Sequence, residues 1–140
     1  MQTGLYIVGT PIGNLADLSP RAIDVLRSVD LVACEDTRVF GKLAAHFDIK
    51  TKRISCHEHN EQQVVPELIK RIGTGESVAF VSDAGMPSIN DPGEDLVRLA
   101  IENELDISVI PGPVAAITAL VMSGLPLAVY IIGASLNNSI

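Results

Sequence analysis

The sequence predicts an α/β domain, a five-stranded and mainly parallel sheet with helices on both faces, from three observations. Short runs that are apolar at every position alternate with stretches whose apolar residues recur at helical spacing. A strand apolar on both sides suits a sheet covered on both faces, which is how parallel sheets are built. The glycines, prolines and paired charges that neither pattern needs gather immediately after the apolar runs.

Leu5-Tyr6-Ile7-Val8 is the first strand, ended by Gly9. Ser19-Pro20 supplies an N-cap and a proline at the first helical position, and Ala22, Ile23, Leu26 and Val29 continue the helix. Leu31-Val32-Ala33-Cys34 is the second strand, and Val39 to Phe47 a helix with Leu43 and Phe47 on one face. Arg53-Ile54-Ser55 is a weak third strand. Gln62 to Ile72 is helical, with Val64, Val65, Leu68, Ile69 and Ile72 inward and Gly73-Thr74-Gly75 as its stop. Ser77 to Val81 is the strongest strand. Pro92 opens a helix carrying Leu96, Leu99, Ala100 and Ile101, Ile107 to Ile110 is the fifth strand, and Pro113 opens a last helix to about Met122.

The 140 residues suit one domain with a substantial core, and 47% hydrophobic with 19% charged residues is a globular composition. No apolar run approaches the ~20 residues of a membrane-spanning helix. Met1-Gln2-Thr3-Gly4 lacks the basic start of a signal peptide, so a soluble cytoplasmic chain is expected. Cys34 and Cys56 are expected to be buried free thiols rather than a disulfide. A net charge of −7 argues against a broad nucleic-acid-binding face. Lys50, Lys52 and Arg53 form one short basic cluster, which also reads as a solvated strand edge.

In an open parallel sheet the strand exits share the carboxyl edge, where ligands bind. The first loop, Gly9-Thr10-Pro11-Ile12-Gly13-Asn14, admits close backbone approach but is neither a dinucleotide fingerprint nor a phosphate loop, and a plain turn is its alternative. Glu35-Asp36-Thr37-Arg38 reads in two ways. The acids favour the positive end of a helix, or Glu35 or Asp36 binds a hydroxyl and Arg38 a phosphate. Glu35 stands 22 positions after Gly13, which keeps a nicotinamide dinucleotide site open. His57-Glu58-His59-Asn60 suggests polar substrate contacts or plain surface histidines; the spacing is not that of a helical metal pair, and no metal is expected. Ser82 to Ser88 is longer than a turn requires, and its backbone groups suit an adenosyl or amino-acid moiety. Pro111-Gly112-Pro113 lets a helix start lie against a ligand, or is a tight turn.

In this order, Gly9 to Leu15, Ala33 to Arg38, His57 to Glu61, Ser82 to Ser88 and Pro111 to Pro113 resemble the tetrapyrrole (corrin/porphyrin) methylase superfamily. Within it they are most similar to the branch that methylates a ribose 2′-hydroxyl in small-subunit ribosomal RNA. The resemblance runs from about Leu5 to Pro126. It implies an N-terminal α/β domain over residues 1–126, a second α/β domain, S-adenosylmethionine in the cleft between them, and a homodimer away from membranes. By position, Pro11, Val81, Ser82, Asp83, Ala84, Gly85, Gly112, Val114 and Ala115 line the donor pocket. Val114 stands where members often carry a small polar residue. Arg38 and Asn60 face the nucleotide as substrate contacts, and Glu35, Asp36, His57 and Glu58 are candidate acid–base groups. The implied reaction moves a methyl group to a ribose oxygen, with cytidine as the nucleoside, and a base would help a neutral hydroxyl attack. A tetrapyrrole-precursor methyltransferase, a nicotinamide-binding domain and a non-catalytic module are the alternatives. Residues 127–140 depart from the family's link into the second domain. The chain by itself is therefore expected to bind the donor weakly and to be inactive.

Overall fold

A computed structural model describes residues 1–10, 18–81 and 93–110. In chain order the elements are β1 (Gly4–Val8), α1 (Pro20–Ser28), β2 (Leu31–Cys34), α2 (Thr37–His46), β3 (Arg53–Ser55), α3 (Glu61–Gly73), β4 (Ser77–Val81), α4 (Gly93–Glu102) and β5 (Ile107–Ile110). Ser19 caps α1, its hydroxyl accepting from the Ala22 amide at 3.1 Å with Pro20 next in line. α2 starts two residues before the predicted Val39, because the Asp36 carboxylate accepts from the Arg38 amide at 2.8 Å and nucleates the turn. The helix predicted from Pro113 lies outside the described residues.

The five strands form one parallel sheet in the order β3-β2-β4-β1-β5. Side chains alternate across it. Leu5, Ile7, Leu31, Ala33, Val78, Phe80 and Val109 meet Val65, Leu68 and Ile72 of α3 and Leu96, Val97 and Ala100 of α4. Tyr6, Val8, Val32, Cys34, Ala79, Val81 and Ile110 meet Ala22, Val25 and Leu26 of α1 and Phe40, Leu43 and Ala44 of α2. The chain thus covers one face on its way out from β1 to β3 and the other on its way back. Each fully buried Leu, Ile or Phe stabilises by about 1.5–3 kcal/mol. A helix cap contributes about 1 kcal/mol. Packing therefore decides the fold, and the caps decide where its helices begin.

Two details of the helices go beyond the sequence pattern. Ile101 is 62% exposed. Successive helical residues turn by about 100°, so in the last turn of α4 it stands beside the stripe of Leu96, Val97 and Ala100, and Val97 is buried instead. Glycine also does not end every helix. α2 and α4 close with Asp48 (φ 53°) and Glu104 (φ 57°) in the left-handed region.

Candidate functional site

All five strands end level with one another. Ser55 pairs with Cys34, Cys34 with Val81, Val81 with Val8, and Val8 with Ile110. At ~4.8 Å per strand, the exits of β4, β1 and β5 occupy about 10 Å of that edge, with β2 and β3 beside them. Val8, Val81 and Ile110 are buried, and Thr10 beyond Gly9 is also buried. β1 leads to α1 on one face of the sheet and its neighbour β4 to α4 on the other. Adjacent exits that diverge in this way open the crevice where α/β sheets bind ligands. Of the predicted donor-pocket residues, Val81 ends β4 on this edge. Pro11, Ser82, Asp83, Ala84, Gly85, Gly112, Val114 and Ala115 lie outside the described residues, and the chain leaves those residues at Thr10, Val81 and Ile110.

The exits of β2 and β3 carry the other predicted residues and are tied together. The Ser55 hydroxyl donates to the Glu35 carbonyl at 3.3 Å, and the Cys56 amide to the Cys34 carbonyl at 2.8 Å. Asn60 turns back towards its own loop rather than capping α3. Its Nδ2 donates to the Ser55 carbonyl at 3.0 Å and its Oδ1 accepts from the His57 amide at 2.8 Å. The His59 amide donates to His57 Nδ1 at 3.1 Å. Glu58 and His59 lie outermost, with His59 Nε2 3.5 Å from Glu58 Oε1.

The four candidate acid–base residues thus meet different surroundings. Asp36 caps α2 and pairs with Arg38 at 3.3 Å; the Arg38 guanidinium, and then its amide, hold that carboxyl below the usual range. A carboxylate stabilised in its charged form is a weaker base. Arg38 itself is exposed. Glu35 and His57 are half-buried, and Glu58 is exposed.

Glu61, at the start of α3, has one buried carboxylate oxygen, and sequence reasoning gave it no role. Its position as an acid in the first turn of a helix on a loaded loop was the available signal. Burial above all, and then Glu61, Cys34 and Glu35, push the buried Cys56 thiol up to about 12, so these carboxylates share one neighbourhood. Cys34 and Cys56 are both buried thiols outside any disulfide. The basic cluster sits at the opposite, amino edge. Lys50 pairs with Asp48 at 3.9 Å, and the Arg53 guanidinium lies 5.5 Å from the centre of the Phe40 ring.

The sheet order removes the nicotinamide alternative. In the dinucleotide fold the acid at the end of the second strand reaches a ribose held at the neighbouring first strand. Here β4 lies between β1 and β2, so Glu35 is two strands from the Gly9 turn. Among the described residues, no three His, Cys, Asp or Glu side chains gather as a metal site, and no helix is long and apolar enough to cross a membrane.

Comparison with known proteins agrees with this geometry. "Ribosomal RNA small subunit methyltransferase I" of Streptococcus pyogenes serotype M3 is 54% identical over 121 residues, 86% of this chain and 42% of that protein. Its namesake in Vibrio cholerae serotype O1 is 55% identical over 122 residues, 87% of this chain and 42% of the relative. The chain spans less than half the length of these relatives. Among solved structures, uroporphyrin-III-C-methyltransferase from Thermus thermophilus superposes with a TM-score of 0.63 at 25% identity, over 89% of this chain and 53% of that one. A complex of the Thermus thermophilus enzyme with S-adenyl homocysteine has the same fold, with a TM-score of 0.61 at 21% identity over 88% of this chain and 52% of that one. The family model described as tetrapyrrole (corrin/porphyrin) methylases matches residues 4–136, nearly the whole sequence and every strand of the sheet. The chain belongs to that family.

Proposed function

We propose that this chain is the N-terminal α/β domain, residues 1–126 with a short tail at 127–140, of an S-adenosylmethionine-dependent methyltransferase. Its substrate in this reading is the 2′-hydroxyl of a cytidine ribose in small-subunit ribosomal RNA. The observation that carries the reading is the alignment of all five strand exits on one edge, with the family's loop motifs attached to them. The named relatives, more than half identical over most of the chain, supply the substrate class. A homodimer in the cytoplasm belongs to the same reading and rests on the resemblance.

The described residues fit the donor chemically. The ends of β1, β4 and β5 at Val8, Val81 and Ile110 bring apolar backbone to this edge, while Glu35 and Glu61 at the neighbouring exits favour a cation. Pro11, Val81 to Gly85, Gly112, Val114 and Ala115 would hold it. When bound, S-adenosylmethionine supplies a methyl group already activated by its positive sulfur.

The protein's remaining work is to align the ribose oxygen and to take its proton. Glu35 suits the proton's acceptor: it is half-buried at the exit of β2, one strand from Val81, and its backbone is held by Ser55. Asp36 is engaged by Arg38, and Glu58 stands outside beside His59. Arg38 carries charge at the rim for a phosphate.

The test uses a protein carrying the family's second domain, labelled donor, and bare and assembled small-subunit RNA. Label is expected in one ribose of that RNA, reduced about 10²-fold or more in Glu35→Gln. Label elsewhere, or none from the unsubstituted enzyme, would overturn the assignment.

A further inference from the structure

The loop after β3 fixes more than the position of His57. A backbone amide only donates, so the 3.1 Å contact from the His59 amide requires a lone pair on His57 Nδ1. A neutral imidazole with Nδ1 as acceptor carries its proton on Nε2. Asn60 fixes the backbone on either side by accepting from the His57 amide and donating to the Ser55 carbonyl. That carbonyl belongs to the last residue of β3, so the ring is referenced to the sheet. His59 turns its own Nε2 towards Glu58 and meets the His57 ring edge-on, with centroids 5.7 Å apart. No carboxylate contact is found at the His57 ring among the described residues.

We infer that His57 acts as a hydrogen-bond donor through Nε2 to an acceptor oxygen of the substrate nucleotide, and that Asn60 and the His59 amide are the groups that position it. The nature of the nucleotide rests on the methyltransferase reading; the tautomer rests on this loop alone. A group that presents N–H to the substrate does not take the hydroxyl proton, so His57 leaves the acid–base set and joins the binding set. Asn60, whose amide oxygen and nitrogen are both engaged within the loop, acts through His57 rather than on substrate.

The first measurement is the two-bond proton–nitrogen correlation spectrum of the imidazoles in the full chain, above the titration of histidine. His57 is expected to give the pure Nε2–H pattern. An Nδ1–H pattern, or a mixture of the two tautomers, overturns the inference.

The second compares His57→Gln, whose amide nitrogen stands near Nε2, with His57→Asn, whose amide stands near Nδ1. Methyl transfer by a protein carrying the second domain is the readout. His57→Asn should raise KM about tenfold, and His57→Gln should recover most of that loss, with the acid limb of the pH–rate profile present in both. Loss of a general base would instead lower kcat about 10²–10⁴-fold and remove that limb in His57→Gln, which overturns the donor role. A pure Nε2–H pattern in a protein that methylates no RNA leaves the donor assignment standing and sinks the methyltransferase reading.

Discussion

Asp30 and Ser77 grip each other at the amino edge of the sheet. The Asp30 carboxylate accepts from the Ser77 amide at 2.9 Å and from the Ser77 hydroxyl at 3.1 Å, while the Asp30 amide donates to the Ser77 carbonyl at 3.0 Å. The contact joins the residue before β2 to the first residue of β4, and these two strands are neighbours only in space.

The Ser77 hydrogen bonds, the amide foremost, hold the Asp30 carboxyl below its ordinary range. A carboxyl whose folded pKa lies below its unfolded value stabilises above that unfolded value, about 3.9, and loses the contribution as pH falls through the folded one. Asp36 and Glu76 are shifted the same way by Arg38 and Arg71. The thermal midpoint is therefore expected to fall on acidification below about pH 5. Asp30→Asn should start lower and fall less steeply, because Asp36 and Glu76 remain. An acid slope identical to that of the unsubstituted chain would refute this account.

The ends of α2 and α4 give a prediction of opposite sign. After α4 the Leu105 amide donates to the Ala100 carbonyl at 2.9 Å and the Glu104 amide to the Ile101 carbonyl at 3.0 Å; after α2 the Ile49 and Asp48 amides do the same with Ala44 and Ala45. This pairing needs a left-handed residue, which is usually glycine. Left-handed backbone costs an L-residue about 1–2 kcal/mol. Glycine gives back about 0.4–1 kcal/mol through the unfolded chain. Glu104→Gly is therefore expected to raise stability by about 0.5–1 kcal/mol in urea unfolding. A loss would mean that the Glu104 side chain supports the turn.

Much of this arrangement was legible. Leu31–Cys34, Ser77–Val81 and Ile107–Ile110 are strands with the expected bounds, because a strand covered on both faces leaves a nearly unbroken apolar run, and the weaker Arg53–Ser55 is a half-buried strand at the edge of the sheet. The clustering of glycine, proline and charge after those runs pointed to the edge proposed here for binding. The order of strands was not legible, since Val32 and Val78 look alike in sequence and only the crossovers decide that β4 enters between β1 and β2. Nor could residue type separate a cap from a ligand. Asp36 and Glu35 are adjacent acids, and only the turn geometry gives the first to Arg38. The engagement of Asn60 within its own loop rests on contacts to Ser55 and His57 that exist only once the loop has folded.

The two thiols yield a chemical prediction. Cys34 belongs to the core on the α1–α2 face and Cys56 to the core on the α3–α4 face, so the sheet separates their side chains. Burial also keeps the Cys56 thiol protonated, at about 12. Only a thiolate attacks disulfide reagents quickly. At pH 8 the native chain should release almost no thionitrobenzoate, and both cysteines should react after denaturation. Rapid reaction of the native protein, or a disulfide surviving oxidation and unfolding, would contradict this arrangement.

Gly4 links the far end of β1 to the proposed donor site. Its φ of +152° is unusual for any side chain, and an added Cβ would stand 2.9 Å from the backbone oxygen of Asp106. That oxygen cannot step aside, because it accepts the Leu5 amide at 2.8 Å and starts the pairing of β1 with β5. The same pairing continues to Val8 and Ile110 at the site edge. Gly4→Ala is expected to cost about 1–3 kcal/mol. Gly75→Ala, strained at φ +111° but with open space around it, should cost less, and Gly73→Ala, in the last turn of α3 with equally open space, should be neutral or slightly stabilising. Chemical denaturation of the three variants ranks them directly. Donor affinity, read by calorimetry in a protein carrying the second domain, should weaken in Gly4→Ala alone, because it alone disturbs β1 against β5. Equal effects in all three would mean that the register of these strands does not shape the pocket.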